Sequence, residues 1–130
     1  MLEEVKAIQK ENEIYLTEFK DWLESQDLDD KDIKEYMYYI NIYINEFLSY
    51  CEVKMPDGYL EICLFFDDWY PNNFKVNKDH VHKMCKSLKK FYKCMYMKKH
   101  ISEENFDFLC EYINMEKPHL LYNVDKYGKE

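Results

Sequence analysis

The chain has 130 residues, 18 lysines without a single arginine, 26 acidic residues and a formal net charge of −8. This length fits one domain with a substantial core. Only two glycines and three prolines occur, and polar residues recur at helical spacing, so we expect an all-α fold. No run approaches the roughly 18 apolar residues of a membrane span. The charged N-terminus lacks a signal-peptide pattern, so we expect a soluble cytoplasmic protein without membrane contact.

Apolar residues at three- and four-residue spacing predict a first helix over residues 2–25. After a short turn, Asp29 is a suitable N-cap for a second helix that runs to about Tyr50. The outward face of the second helix is predicted to be polar and almost uncharged. It consists of Lys34, Tyr38, Asn41, Asn45 and Ser49.

A turn signal, Met55-Pro56-Asp57-Gly58, separates the second helix from a short third one over residues 59–69. Residues 62–66 alone would also fit a strand, but no partner strand is predicted nearby, so helix is favoured. Asn77 is then predicted to cap a long helix over residues 78–99.

The last predicted helix follows Ser102, which is suited to the N-cap position. Pro118 is expected to stop this helix, or to follow its end, and to leave a flexible tail over residues 119–130 in which Leu120, Leu121 and Tyr122 could dock. No internal repeat or linker interrupts the chain. We therefore expect a single domain over residues 1–130, with its core at about 14–115.

Helix 78–99 is the most basic stretch of the chain. Its eight lysines and one aspartate give +7, so the remaining residues must carry −15 to reach the total of −8. At 100° per residue, its apolar residues form one stripe and most of its lysines fall on a different face. That face consists of Lys83, Lys86, Lys89, Lys90 and Lys93.

Two sets of residues invite a catalytic or metal-binding interpretation. His80, His82 and Cys85 are close in sequence, but positions 80 and 82 point about 200° apart on a helix, which disfavours a shared metal ion. The acid pairs 67–68 and 103–104 have structural roles at helix ends. With no phosphate-binding loop and no activated nucleophile, we predict neither an enzyme nor a cofactor.

The five cysteines are odd in number and widely spaced, so a disulfide framework is not expected. Most of them fall on predicted helix faces. We predict reduced thiols that are largely buried.

Two segments resemble a known family. They are Phe19-x-x-Trp22-Leu23 with Leu28-Asp29-x-x-Asp32-Ile33-x-x-Tyr36, and Leu88-Lys89-Lys90-Phe91-Tyr92-Lys93-x-Met95 followed by Lys98-Lys99-His100-Ile101. Together they resemble the SAM-like N-terminal (core-binding) domain of phage integrases and other tyrosine recombinases, over roughly residues 14–110. The catalytic arginines, histidine and tyrosine of that family lie in another domain, so the resemblance implies a non-catalytic module.

The resemblance implies an orthogonal bundle of four to five helices whose second and fourth helices face double-stranded DNA. The positions that it assigns to DNA contact are Lys34, Tyr38, Asn41 and Asn45 on the second helix and Lys83, Lys86, Lys89, Lys90 and Lys93 on the fourth. The leading hypothesis is weak, salt-dependent binding to duplex phosphates. The alternative is a protein-interaction domain that meets an acidic protein, or a second copy of itself, with its lysine face.

Overall fold

A computed structural model describes residues 2–127, with side chains as far as Val124, and no strand occurs within this range. The all-α prediction is therefore confirmed, and the chain forms five helical segments. The first two segments are α1 Leu2–Ser25 and α2 Asp30–Asn41, the latter with a π-helical continuation Ile42–Leu48. The third segment begins at Met55, ends at Asn73 and contains two short helices, α3 Ile62–Leu64 and α4 Tyr70–Asn73. The last two segments are α5 Lys78–Met97 and α6 Glu103–Tyr127. None of these helices is long and apolar enough to cross a membrane.

The three predicted N-caps are confirmed. The Asp29 carboxylate accepts a hydrogen bond from the Asp32 amide at 2.9 Å, and the Asn77 side chain accepts one from the His80 amide at 2.9 Å. Ser102 Oγ accepts from the amide of residue 105 at 3.1 Å. Each bond satisfies one of the backbone donors that a helix start leaves without an intrahelical partner.

Three of the helix ends are followed by a non-glycine residue with left-handed backbone: Asp27, Glu52 and Lys99. Lys99 has φ 66°, and the bonds from its own amide to the Tyr96 carbonyl and from the His100 amide to the Met95 carbonyl complete a Schellman motif. Glu52 has φ 57° in an equivalent turn after the second helix. Helix α5 therefore ends at Met97, two residues before its predicted end.

The third helical segment is confirmed as helix rather than strand, and it is longer than predicted. It comprises a 3-10 helix Met55–Glu61, α3 Ile62–Leu64, a π-helical turn Phe65–Trp69 and α4 Tyr70–Asn73. Its start is held by two buried tyrosines, since the hydroxyls of Tyr43 and Tyr92 donate to the carbonyls of Gly58 and Met55 at 2.5 and 2.9 Å. The predicted Met55–Gly58 turn is thus the first turn of this segment.

The π-helical continuation of the second helix corrects the predicted outward face. The widened turns rotate Ser49 toward the core, whereas Asn45 stays beside Asn41, to which it donates a hydrogen bond at 2.7 Å. Ser49 is buried, and Asn45 accepts a hydrogen bond at 2.9 Å from Asn12, a buried side chain of α1. Asn12 also donates to the Ile44 carbonyl at 3.0 Å, so these polar groups join α1 to the second helix.

Pro118 does not stop the last helix, contrary to prediction. Helix α6 continues to Tyr127 with Pro118 on its exposed side. Beyond the proline, Leu120 is buried, and Leu121 and Val124 pack against the core. Burial of these three side chains offsets the backbone hydrogen bond that proline removes. The predicted flexible tail is therefore helical as far as it is described, and residues 128–130 of that prediction lie outside the described range.

Helix α5 lies at the centre of the bundle, against α1, α2 and α6. Its predicted apolar stripe is confirmed, since all seven members are buried: Val81, Met84, Cys85, Leu88, Phe91, Tyr92 and Met95. The Phe91 ring meets Phe19 of α1 edge to face, with centroids 5.1 Å apart. This packing fixes the rotation of α5, and with it the direction in which each lysine points.

Candidate nucleic-acid interface

The lysine face of α5 divides into lysines that are engaged by neighbouring helices and lysines that stay directed at solvent. Lys83 belongs to the first group. Its ammonium lies 3.2 Å from the Glu35 carboxylate of α2 and 3.0 Å from Asp79, one turn earlier on α5. The hydrogen bonds to Asp79 and then to Glu35 raise the pKa of Lys83. Two carboxylates therefore balance this charge locally.

Lys89 is turned about 120° from Lys83 around α5, toward α6. Its ammonium donates to the Asn114 side-chain oxygen on α6, and the residue is half-buried between the two helices. The neighbouring thiol of Cys110 lies near both this lysine and Asp107. Lys89 therefore contributes to the contact between α5 and α6 more than to an open surface.

Lys86 and Lys90 lie over aromatic rings. The Lys86 ammonium is 5.6 Å from the ring centroid of Tyr36, and the Lys90 ammonium is 5.6 Å from the same ring and 5.5 Å from that of Trp22. At such distances the ring quadrupole attracts the cation and limits its rotamers. Lys86 is exposed and Lys90 is half-buried, so both ammonium groups lie on the rings at the edge of the solvent.

Lys93 is exposed one turn beyond Lys90. Lys86, Lys90 and Lys93 thus follow one another at four- and three-residue spacing, which places them in a single row along α5. We call these three residues the lysine row. It spans about 10 Å at 1.5 Å per residue.

The second-helix positions do not join the lysine row. Tyr36 marks the side of α2 that faces the row, and Lys34 and Asn41 lie about 160° and 140° from it around the helix. Both are exposed, whereas Asn45 is half-buried and donates to Asn41 while accepting from Asn12. The structure therefore brings together Lys86, Lys90 and Lys93 but not Lys34, Asn41 or Asn45.

Trp22 and Tyr36 are the parts of this surface that the sequence pattern did not indicate. Both fit the apolar stripes of α1 and α2, and Tyr36 is indeed buried. Their approach to one side of α5 depends on how three helices pack. The sequence contains one indication of this surface: Trp22 and Tyr36 are large amphipathic residues that lie at the edges of the apolar stripes of α1 and α2.

The thiols and histidines form no alternative centre in the described structure. Cys85 and Cys94 are buried, and that burial raises the pKa of both thiols to about 11, so they remain protonated and unreactive near neutral pH. Among the described residues, no three His, Cys, Asp or Glu side chains lie close enough together to hold a metal ion.

Comparisons with known proteins assign no family to this chain. No family model matches it, and neither the search of curated proteins nor that of solved structures finds a significant match.

Proposed function

We propose that this protein is a non-catalytic DNA-binding module that contacts duplex phosphates through the lysine row. The main support for the proposal is the alignment of Lys86, Lys90 and Lys93 on one side of α5, opposite the apolar stripe that is buried in the core. Because α5 is fixed by the core, the row is presented by a rigid element.

The length of the row suits a phosphate backbone. Successive phosphates of one DNA strand lie about 7 Å apart, because the backbone winds around the axis while it rises about 3.4 Å per nucleotide. A row of about 10 Å therefore follows two to three of them. Lysine provides a point charge rather than the bidentate fork with which arginine reads guanine. The expected contact is therefore with the backbone and independent of base sequence.

The resemblance to the core-binding domain of tyrosine recombinases supports the same proposal, because the fourth helix faces DNA in that family. A SAM-like arrangement of the five helical segments is part of the proposal. The second-helix positions Lys34, Asn41 and Asn45 are not included in the contact, since they lie on another side of α2. The interface that we propose is thus narrower than the family pattern implies.

The affinity is expected to be low. The net charge of −8 repels DNA at a distance, and Glu35 and Asp79 already neutralise Lys83 next to the row. Three phosphate contacts with no base contact belong to the non-specific range, with Kd roughly 10–100 µM at low salt.

The test is fluorescence anisotropy of a labelled duplex of about 20 base pairs at low salt, with the wild type and two triple variants. Replacing Lys86, Lys90 and Lys93 by glutamate should reduce affinity at least about tenfold. The matched control replaces three exposed lysines elsewhere by glutamate and so has the same net charge as the row variant. These lysines are Lys10, Lys20 and Lys31.

Binding by the control but not by the row variant supports the proposal, provided that circular dichroism shows both to be folded. An equal loss of duplex affinity in both variants would mean that only the total charge of the protein determines binding, and the lysine row would have no special role. Absence of wild-type binding at about 100 µM would refute the proposal.

A second candidate is a protein-interaction domain that uses the lysine row on an acidic partner. The pairing of Lys83 with Glu35 favours it, because carboxylates are shown to fit against this side of α5. A competition experiment would separate the two candidates. If poly-glutamate displaces the bound duplex when both are present at the same concentration of charge, the result supports an acidic protein as the partner.

A further inference from the structure

Helix α6 has two apolar faces. One packs into the core through Leu109, Ile113 and Leu120. The other is turned about 110° from the first around the helix and contains Phe108, Tyr112 and Met115, of which Phe108 is 38% and Met115 69% exposed. A helix that is apolar on both sides is normally covered on both. Tyr112 packs in part against the core, whereas the bundle leaves Phe108 and Met115 exposed.

The outer face has the spacing of a helix-pairing seam. Phe108, Tyr112, Met115, His119 and Tyr122 follow one another at intervals of four, three, four and three residues, which keeps them within about 40° of one line. The seam is about 21 Å long. Stacking between the Phe108 and Tyr112 rings, with centroids 6.2 Å apart and planes 16° apart, gives its first turns a defined shape.

One edge of this seam is acidic. Glu104, Asp107 and Glu111 lie beside Phe108 and line an open hollow of about 630 Å³ near the start of α6. All three carboxylates belong to exposed residues. An apolar seam with an acidic border is complementary to an apolar seam with a basic border.

We propose that the outer face of α6 binds an amphipathic helix of another protein. The apolar stripe of that helix would pack on Phe108, Tyr112 and Met115, and its flanking lysines or arginines would meet Glu104 and Asp107. A second copy is a poorer occupant, because two α6 seams that pair in parallel bring their acidic borders together. The seam lies on a different helix from the lysine row, so this inference does not depend on DNA binding.

The probe is a labelled three-heptad peptide with leucine at the seam positions and lysine at the flanking positions; a twin peptide has glutamate in place of lysine. The full chain should bind the lysine peptide and not the glutamate twin. Met115→Gln should weaken that binding about tenfold, and replacing Glu104, Asp107 and Glu111 by their amides should do the same. Ile14→Gln is the matched control, since Ile14 is an apolar residue 59% exposed on α1.

Several results would overturn the proposal. One is equal affinity for the two peptides, and another is equal affinity of the Met115→Gln and Ile14→Gln variants for the lysine peptide. Failure of the wild type to bind the lysine peptide at about 100 µM would also do so. A wild-type dimer in sedimentation velocity that Met115→Gln converts to monomer would identify a second copy as the occupant instead. Circular dichroism of each variant shows whether a loss of binding reflects unfolding.

Discussion

Gly58 lies where the start of the third helical segment meets the second helix and α5. A methyl group at this position would come within 2.3 Å of the Tyr92 hydroxyl and 2.7 Å of Leu48 Cδ1. The Tyr92 hydroxyl cannot move away without loss, because it donates a buried hydrogen bond of 2.9 Å to the Met55 carbonyl. Gly58→Ala should therefore force the packing of three helical segments to change.

The expected cost can be separated by a double-mutant cycle. Overpacking by one methyl group in Gly58→Ala costs about 1–3 kcal/mol. Tyr92→Phe leaves the Met55 carbonyl without its partner and costs about 1–3 kcal/mol as well. The double variant lacks the Tyr92 hydroxyl, which is the atom nearest to the new methyl group. Its loss of stability should therefore be about 1 kcal/mol or more smaller than the sum of the losses in the two single variants. The contact with Leu48 remains, so rescue should be incomplete.

The assay is urea denaturation followed by far-ultraviolet circular dichroism, which measures the free energy of unfolding of each variant. Tyr15→Phe combined with Gly58→Ala is the control cycle, because the Tyr15 hydroxyl bonds to Glu11 on α1 and does not face Gly58. Its two effects should add within about 0.5 kcal/mol. A neutral Gly58→Ala, or strict additivity with Tyr92→Phe, would refute the close packing on which this reasoning depends.

Two further predictions concern a helix end and a pH dependence. Lys99→Gly should stabilise the protein by about 0.5–1 kcal/mol, since φ is 66° there and only glycine adopts it without strain, whereas Lys98→Gly should destabilise it. The midpoints of urea denaturation compare the two variants with the wild type. A Lys99→Gly variant less stable than the wild type would contradict backbone strain at Lys99. Burial, and then a hydrogen bond shared with Asp67, raise the pKa of Glu116 above its ordinary 4.5, so the folded state binds this proton more tightly than the unfolded state. The free energy of unfolding should therefore fall as pH rises above 4.5, and Glu116→Gln should reduce that fall; equal slopes in both proteins would exclude the effect.

The parts of the fold that could be predicted from the sequence are those fixed by short stretches of chain. Asp29, Asn77 and Ser102 act as caps because the side chain bonds an amide three residues later, which is a local relation. The stripe of α5 was predictable for the same reason, since a helical period places its members on one side.

The parts that could not be predicted depend on packing between distant segments. The π-helical turns at Ile42–Leu48 and Phe65–Trp69 lie against each other through Tyr43, Phe47 and Phe65, whose ring centroids are about 5 Å apart. Pro118 allows the helix to continue because Leu120 reaches the core beyond it. The ring contacts leave no periodic signal in the sequence. Leu120 does continue the helical spacing of Leu109 and Ile113, but a proline normally ends such a pattern.

The candidate interface shows the same division. Spacing alone placed five lysines on one face of α5, but Glu35 and Asn114, from two other helices, engage Lys83 and Lys89. Which lysines stay directed at solvent is thus decided by α2 and α6. The sequence could define the face but not the lysine row within it.

The salt dependence of duplex binding tests the lysine row most directly. The logarithm of affinity should fall with the logarithm of salt concentration with a slope of about −0.9 for each phosphate neutralised, hence about −2.7 for three lysines. Lys93→Gln removes one exposed contact without disturbing the packing on Trp22 and Tyr36, and should reduce the slope by about one. A wild-type slope near zero, or the same slope in Lys93→Gln as in the wild type, would contradict DNA binding by the row.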